Sequence, residues 1–296
     1  MKFEIAQSWA LASLATSVLA APQKRSAWST LLGQLDYYAQ WSTAAYCSGN
    51  TDGANKVVSC SAGNCPDVQA ANTALLNAAL LNEFDNTNSY GDASGFLAAD
   101  NTNQHIVLSF RGSRTFSNWI ADISTALIPS SLCSGCQVHQ GFWDDYQTVA
   151  STLNTQIDSA QKAYPGYALV VTGHSLGGAL AMLCGTGLHN QGYTLTTYTY
   201  GQLRVGNLAL AKYITNVDTQ WRVTHTDDTV PKLPSMTAGF SHSSPEYWIT
   251  SGNNVTVTTS DIQVITGIDS TAGNAGTTTS STSAHNWYLL YIDGCT

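Results

Sequence analysis

A β-branched run, Val170-Val171-Thr172, leads directly into Gly173-His174-Ser175-Leu176-Gly177-Gly178 and then into an Ala/Leu-rich stretch of helical character, and this junction constrains the fold more than any other segment. A serine on a sharp strand-to-helix turn needs small residues two before and two after it, because strand and helix must approach closely. The turn pushes the Ser175 hydroxyl outward, where a substrate can reach it. Gly-x-Ser-x-Gly alone is weak evidence, and the flanking strand and helix make it strong. Strand patterns at 105–111, 167–172, 194–200, 221–225 and 255–259 alternate with helical ones at 145–163 and 177–188. That alternation predicts a mostly parallel central sheet with helices on both faces.

A nucleophilic serine needs a base and an orienting acid. On an α/β-hydrolase sheet these follow in chain order Ser, Asp or Glu, His, so of the seven histidines His242 and His285 are the main candidates. The segment Trp221 to Asp228 reads as a short strand ending in carboxylates, and open α/β sheets collect functional groups at strand C-terminal ends. Asp227 or Asp228 therefore outranks Asp218, Asp261 and Asp269, and spacing does not separate the two neighbours. The oxyanion requires preorganised N–H donors. The elbow supplies one at Leu176, and the strand at 105–111 ends in Gly112-Ser113, a loop suited to the second. No histidine pair has zinc-site spacing, so neither a catalytic metal nor a cofactor is called for.

Phe116, Trp119, Ile120 and Ile123 fall at i, i+3, i+4 and i+7, one apolar face of a short helix that must pack on something. At the N-terminus, Lys2 precedes a largely apolar run from Ile5 to Ala21 that is too short for a membrane span and reads as a signal peptide over residues 1–20. Residues 21–25, ending in Lys24-Arg25, read as a brief pro-peptide, and 26–296 as one catalytic domain. Removing residues 1–25 takes away three cations and one anion, changing the formal charge from -8 to -10. Such a surface argues against nucleic acid as a partner. Seven cysteines in a secreted chain suggest three bridges and one leftover thiol. Cys60/Cys65 and Cys133/Cys136 are spaced for local loops, and Cys184, among Leu180, Met182 and Leu183, reads as a buried small hydrophobe. Asn254-Val-Thr256 is a glycosylation sequon and marks a surface turn.

From about Ser26 onward the chain resembles the secreted fungal triacylglycerol lipases of the Rhizomucor and Thermomyces type, the class 3 lipases. The resemblance is carried by Ala44-Ala-Tyr-Cys47, Phe110-Arg-Gly-Ser-Arg114, Asn118-Trp-Ile120, Cys133-Ser-Gly-Cys136, Thr172 to Leu180, Arg204-Val-Gly-Asn207, Thr224-His-Thr-Asp-Asp228, Ser241 to Trp248 and Ala284-His285. It implies an α/β-hydrolase fold with a short helical lid, Ser175 as nucleophile, Asp228 as acid and His285 as base. It further implies Ser113 with Leu176 as the oxyanion hole, and Phe116, Trp119 and Ile120 as lid and substrate contact. The implied disulfides are Cys47–Cys295, Cys60–Cys65 and Cys133–Cys136. A bridge closing the long loop from Cys47 to Cys295 contributes roughly 3–5 kcal/mol in the chain-entropy model. His174, where the family also has histidine, is expected to pack and hydrogen-bond rather than transfer protons, and His225 and His242 look structural. Two positions depart from the family: Leu203 stands where many relatives have proline, and Asp227 where they often have asparagine.

These observations predict a secreted, monomeric serine esterase, a triacylglycerol lipase that touches lipid interfaces transiently through the lid and has no transmembrane segment. The nearer alternative is a feruloyl-type or short-chain carboxylesterase on the same fold; the apolar face through Trp119 and Ile120 argues against it. The distant alternative is a non-catalytic lipid-binding protein. N-terminal sequencing of the secreted protein should begin at Ser26; retention of Lys24-Arg25 would refute the pro-peptide.

Overall fold

The computed structural model describes residues 30–50, 56–78, 93–113, 123, 125–217 and 219–295. The expected signal peptide, the expected pro-peptide and the predicted lid residues Phe116, Trp119 and Ile120 lie outside the described residues. Of the predicted lid face, Ile123 is described, and it packs against the larger core cluster.

The central sheet runs in sequence order through eight strands: β1 (Thr73–Ala78), β2 (Gly95–Asp100), β3 (His105–Phe110), β4 (Ala168–His174), β5 (Leu195–Tyr200), β6 (Gln220–His225), β7 (Glu246–Ile249) and β8 (Ile262–Ile265). Strands β3 to β7 are parallel, whereas β1, β2 and β8 attach antiparallel at the two edges. Parallel neighbours cannot be joined by tight turns, and the long crossover helices between them cover the sheet. Side chains alternate between faces accordingly. In β4, Leu169 and Val171 enter one apolar cluster and Val170 the other, and in β3 Ile106, Leu108 and Phe110 oppose Val107.

Helix α1 (Leu31–Ala44) packs on one face beneath the shorter α2 (Pro66–Ala70). Its start is set by Thr30, whose side chain accepts from the Gly33 N–H at 3.2 Å. The other face carries α3 (Gln140–Ala163) and α4 (Leu176–Asn190). Every residue of α4 from Leu176 to Leu188 is buried, as its apolar character all round requires. Helix α5 (Leu208–Val217) buries only Leu210, Ala211 and Ile214 and keeps an exposed face.

The expectation of a strand at 255–259 is corrected. Residues 255–258 form a loop and Thr259 opens a 3-10 turn, Thr259–Asp261, ahead of β8, with Asn254 in a left-handed conformation (φ 59°) and Val255 exposed. Alternating Val and Thr mimicked a half-buried strand, but Asn253-Asn254 breaks the chain direction just before it. Strands β1, β2, β7 and β8 carried no recognised signal; β2 is buried along its whole length, so its pattern does not alternate.

Disulfides join Cys47 to Cys295, Cys60 to Cys65 and Cys133 to Cys136. The first ties the end of α1 to the C-terminus across 248 residues. Cys184 is free and buried in α4, and burial pushes its thiol far above the usual range. A thiol reagent should therefore leave the native protein unlabelled and modify one cysteine after denaturation; labelling before denaturation would contradict this packing.

Candidate active site

The parallel strands deliver their C-terminal ends to one edge of the sheet. Phe110 of β3 pairs with Gly173 of β4, and His174 of β4 with Tyr200 of β5. Ser175 follows β4 at φ 58°, ψ −127°, a conformation that is strained for a residue with a side chain. Close packing of backbone on backbone holds it there. A Cβ on Gly173 would strike the Gly177 backbone, and one on Gly177 would strike the carbonyl oxygens of Phe110 and Arg111. The Ser175 N–H donates to the Tyr200 carbonyl at 2.9 Å, and its own carbonyl accepts from Ala179 at 3.2 Å. The Ser175 hydroxyl makes no hydrogen bond among the described residues.

Asp228 lies in the turn after β6 and is fully buried. Its Oδ2 accepts from His285 Nδ1–H at 2.8 Å and from the Tyr288 hydroxyl at 2.5 Å, and its Oδ1 from the Val230 N–H at 2.9 Å. Of the two neighbouring carboxylates, Asp228 is the one that meets His285. Asp227 is half-buried, and its Oδ1 accepts from Thr226 Oγ1 at 3.4 Å. His285 sits in a 3-10 turn, Ser283–Asn286, and is buried. With Nδ1 donating to Asp228, its Nε2 retains the lone pair that a general base needs.

His242, the other base candidate, is spent elsewhere. Its Nε2 faces the Pro231 carbonyl at 2.8 Å, and burial, reinforced by Arg222 and Arg204, holds its pKa well below the usual range. His225 directs its ring nitrogens at the carbonyls of Ala284 and Ser251, at 2.9 and 2.8 Å, and so braces the segment that carries His285. His174 ends β4 with its ring centroid 4.4 Å from that of His285.

Leu176 is the first residue of α4, so its N–H is one of the unpaired amides at a helix N-terminus. Gly112 brings the end of β3 beside it: a Cβ there would lie 3.0 Å from Ser175 Cβ and 2.8 Å from the His174 carbonyl oxygen. Ser113 follows immediately and is half-buried. The loop containing Leu203 is pinned despite lacking proline. Leu203 is fully buried, the Gln202 amide donates to the Leu203 carbonyl at 3.1 Å, and the Arg204 N–H donates to Leu233 at 2.8 Å. Among the described residues no group of three His, Cys, Asp or Glu could hold a metal ion.

Two tyrosines given no role from the sequence join the site, Tyr46 although it lies in the family-like stretch Ala44–Cys47. Tyr288 lies three residues beyond His285 and places a third donor on Asp228. Burial and the adjacent carboxylate push its hydroxyl well above the ordinary range, so it stays protonated. Tyr46 reaches His174 from a position 128 residues earlier in the chain. Gly201, which opens the Leu203 loop, has φ 56°, and a Cβ on it would press on His285 Cε1 at 2.8 Å. Tyr288→Phe deletes one charge-assisted hydrogen bond, expected to cost about 1.5–3 kcal/mol of stability. Loss of that brace on Asp228 should also lower kcat; denaturant unfolding and turnover of a soluble ester read the two effects separately.

Comparison with known proteins supplies the context for this arrangement. The family described as lipase (class 3) matches residues 107–238. The secreted mono- and diacylglycerol lipase A of Penicillium cyclopium is 41% identical over 289 residues, covering 96% of this chain and 93% of that protein. The secreted mono- and diacylglycerol lipase 1 of Fusarium solani is 37% identical, covering 89% and 78%. Among solved structures, the mono- and diacylglycerol lipase from Aspergillus oryzae superposes with a TM-score of 0.85 at 37% identity, covering 90% of this chain and all of that one. The Rhizomucor miehei triacylglyceride lipase does so at 0.74 and 29% identity, covering 90% and 97%.

Proposed function

The chain belongs to the class 3 lipase family, and from that premise we propose that it is a secreted serine hydrolase that cleaves the esters of acylglycerols through an acyl-enzyme. One observation carries the mechanism: the buried Asp228–His285 hydrogen bond, with the His285 ring 4.4 Å from that of His174, the residue before a serine held at positive φ. Ser175 Oγ attacks the ester carbonyl while His285 Nε2 takes its proton. Asp228 keeps Nδ1 protonated and stabilises the imidazolium that forms. The N–H groups of Leu176 and Ser113 receive the oxyanion, His285 returns the proton to the departing glycerol oxygen, and water repeats the sequence to release the fatty acid.

Relatives at 41% and 37% identity named mono- and diacylglycerol lipases support partial glycerides as substrates, and the triacylglyceride lipase likeness supports triacylglycerol. Phe116, Trp119 and Ile120 are assigned to a lid over the site, with the indole suited to the boundary between oil and water. Residues 1–20 are assigned as the signal peptide and 21–25 as the pro-peptide; the relatives' description as secreted agrees with such a leader.

Turnover should be measured on mono-, di- and triacylglycerol as each crosses its solubility limit, beside soluble methyl ferulate. The expected result is a rate jump once an acylglycerol phase forms, with little ferulate hydrolysis. Smooth saturation with a preference for the ferulate would move the enzyme to the soluble-ester class. Ser175→Ala should lower turnover roughly ten-thousand-fold or more without unfolding the protein; a folded variant with near-normal activity would sink the mechanism.

A further inference from the structure

Tyr46, His174 and the main chain of His285 form a directional relay. The Tyr46 hydroxyl lies 2.7 Å from His174 Nδ1, and His174 Nε2 lies 2.9 Å from the carbonyl oxygen of His285. Both side chains are about 2% exposed, so water does not compete for these bonds. Chemistry fixes the direction. A carbonyl oxygen can only accept, so His174 Nε2 must carry the hydrogen. Its Nδ1 is then the acceptor, and the Tyr46 hydroxyl is the donor. Burial pushes the Tyr46 hydroxyl far above its ordinary range, so it keeps its proton. Burial and the neighbouring His285 push His174 well below its own, which keeps that ring neutral.

The same hydroxyl also sits against the opposite side of the site. A Cβ on Gly112 would overlap the Tyr46 oxygen, so the residue before Ser113 is packed directly on it. The main chain just beyond Tyr46 is anchored by the Cys47–Cys295 bridge. One phenol thus touches the end of β3, the histidine before Ser175 and, through that histidine, the backbone of His285.

We propose that Tyr46 is a positioning residue: by locking His174 in its Nε2–H tautomer, it fixes the backbone, and hence the imidazole, of His285 relative to Ser175 and Ser113. Without the phenol, His174 Nδ1 has lost its donor. Its ring can then take the other tautomer, which turns an unprotonated Nε2 toward the His285 carbonyl. Two lone pairs face each other in that state, and the turn carrying His285 loses its hold. Displacement of a reacting group by about 1 Å can cost roughly 100-fold in rate. This inference rests on His285 being the base.

The test has two arms. Long-range proton–nitrogen NMR of the unsubstituted protein should show His174 neutral and protonated at Nε2; a charged ring or the Nδ1–H tautomer would overturn the relay, whatever the activity. Tyr46→Phe should then show mixed His174 tautomers and a kcat on a soluble short-chain ester lowered about 10- to 100-fold, with KM little changed. Unchanged kcat despite tautomer mixing would also overturn it. If Tyr46→Phe does not fold, the spectrum of the unsubstituted protein still decides. Failure of Ser175→Ala to abolish turnover defeats the catalytic assignment instead, and leaves the tautomer result standing on its own.

Discussion

Backbone-on-backbone contact at the end of β4 is the constraint on which the rest depends. Ser175 can hold φ 58° only because Gly173 rests on Gly177 and Gly177 rests on the carbonyls of Phe110 and Arg111. Those contacts require that β3 and β4 lie side by side in parallel, which in turn requires a crossover between them. The 24-residue helix α3 lies in that crossover and packs on α4. Local strain at one residue is thus maintained by the largest features of the fold, an arrangement typical of sites where geometry must not relax.

Around that strained point the side chains of Asp228, His174 and His225 each have defined partners, whereas the Ser175 hydroxyl has none among the described residues. Asp228 receives three donors from three different places: the turn after β6, the segment carrying His285, and Tyr288. His174 and His225, at the ends of β4 and β6, direct ring nitrogens at the consecutive carbonyls of His285 and Ala284. Buried polar networks of this kind are costly when incomplete and rigid when satisfied. The segment carrying His285 lacks long regular structure; its position is therefore set by these side-chain contacts and by the Cys47–Cys295 bridge nearby.

A fold of this type separates the durable from the adjustable. Strands β2 to β7 and α4 are mostly buried, whereas the connections beyond the strand ends carry the reacting groups. Substitutions in those loops, such as Leu203 for the family's proline, can be absorbed where hydrogen bonds take over the role of a fixed backbone angle.

The sequence by itself determined what short-range chemistry can encode. The β-branched run ending in Gly-x-Ser-x-Gly required the elbow, because only glycine permits that approach, and chain order narrowed the base to His242 or His285 and the favoured acid to Asp227 or Asp228. The β2 strand escaped notice because a strand buried on both faces does not alternate, and the Val/Thr stretch at 255–259 mimicked one because its residue types suit strands. Only the tertiary structure decided that Asp228 rather than Asp227 meets His285, that His242 is committed to the Pro231 carbonyl, and that Tyr288 and Tyr46 belong to the site. The reason is physical. Hydrogen bonds between residues tens to hundreds of positions apart depend on how strands and loops are stacked in space, and no local pattern of residue types records that separation.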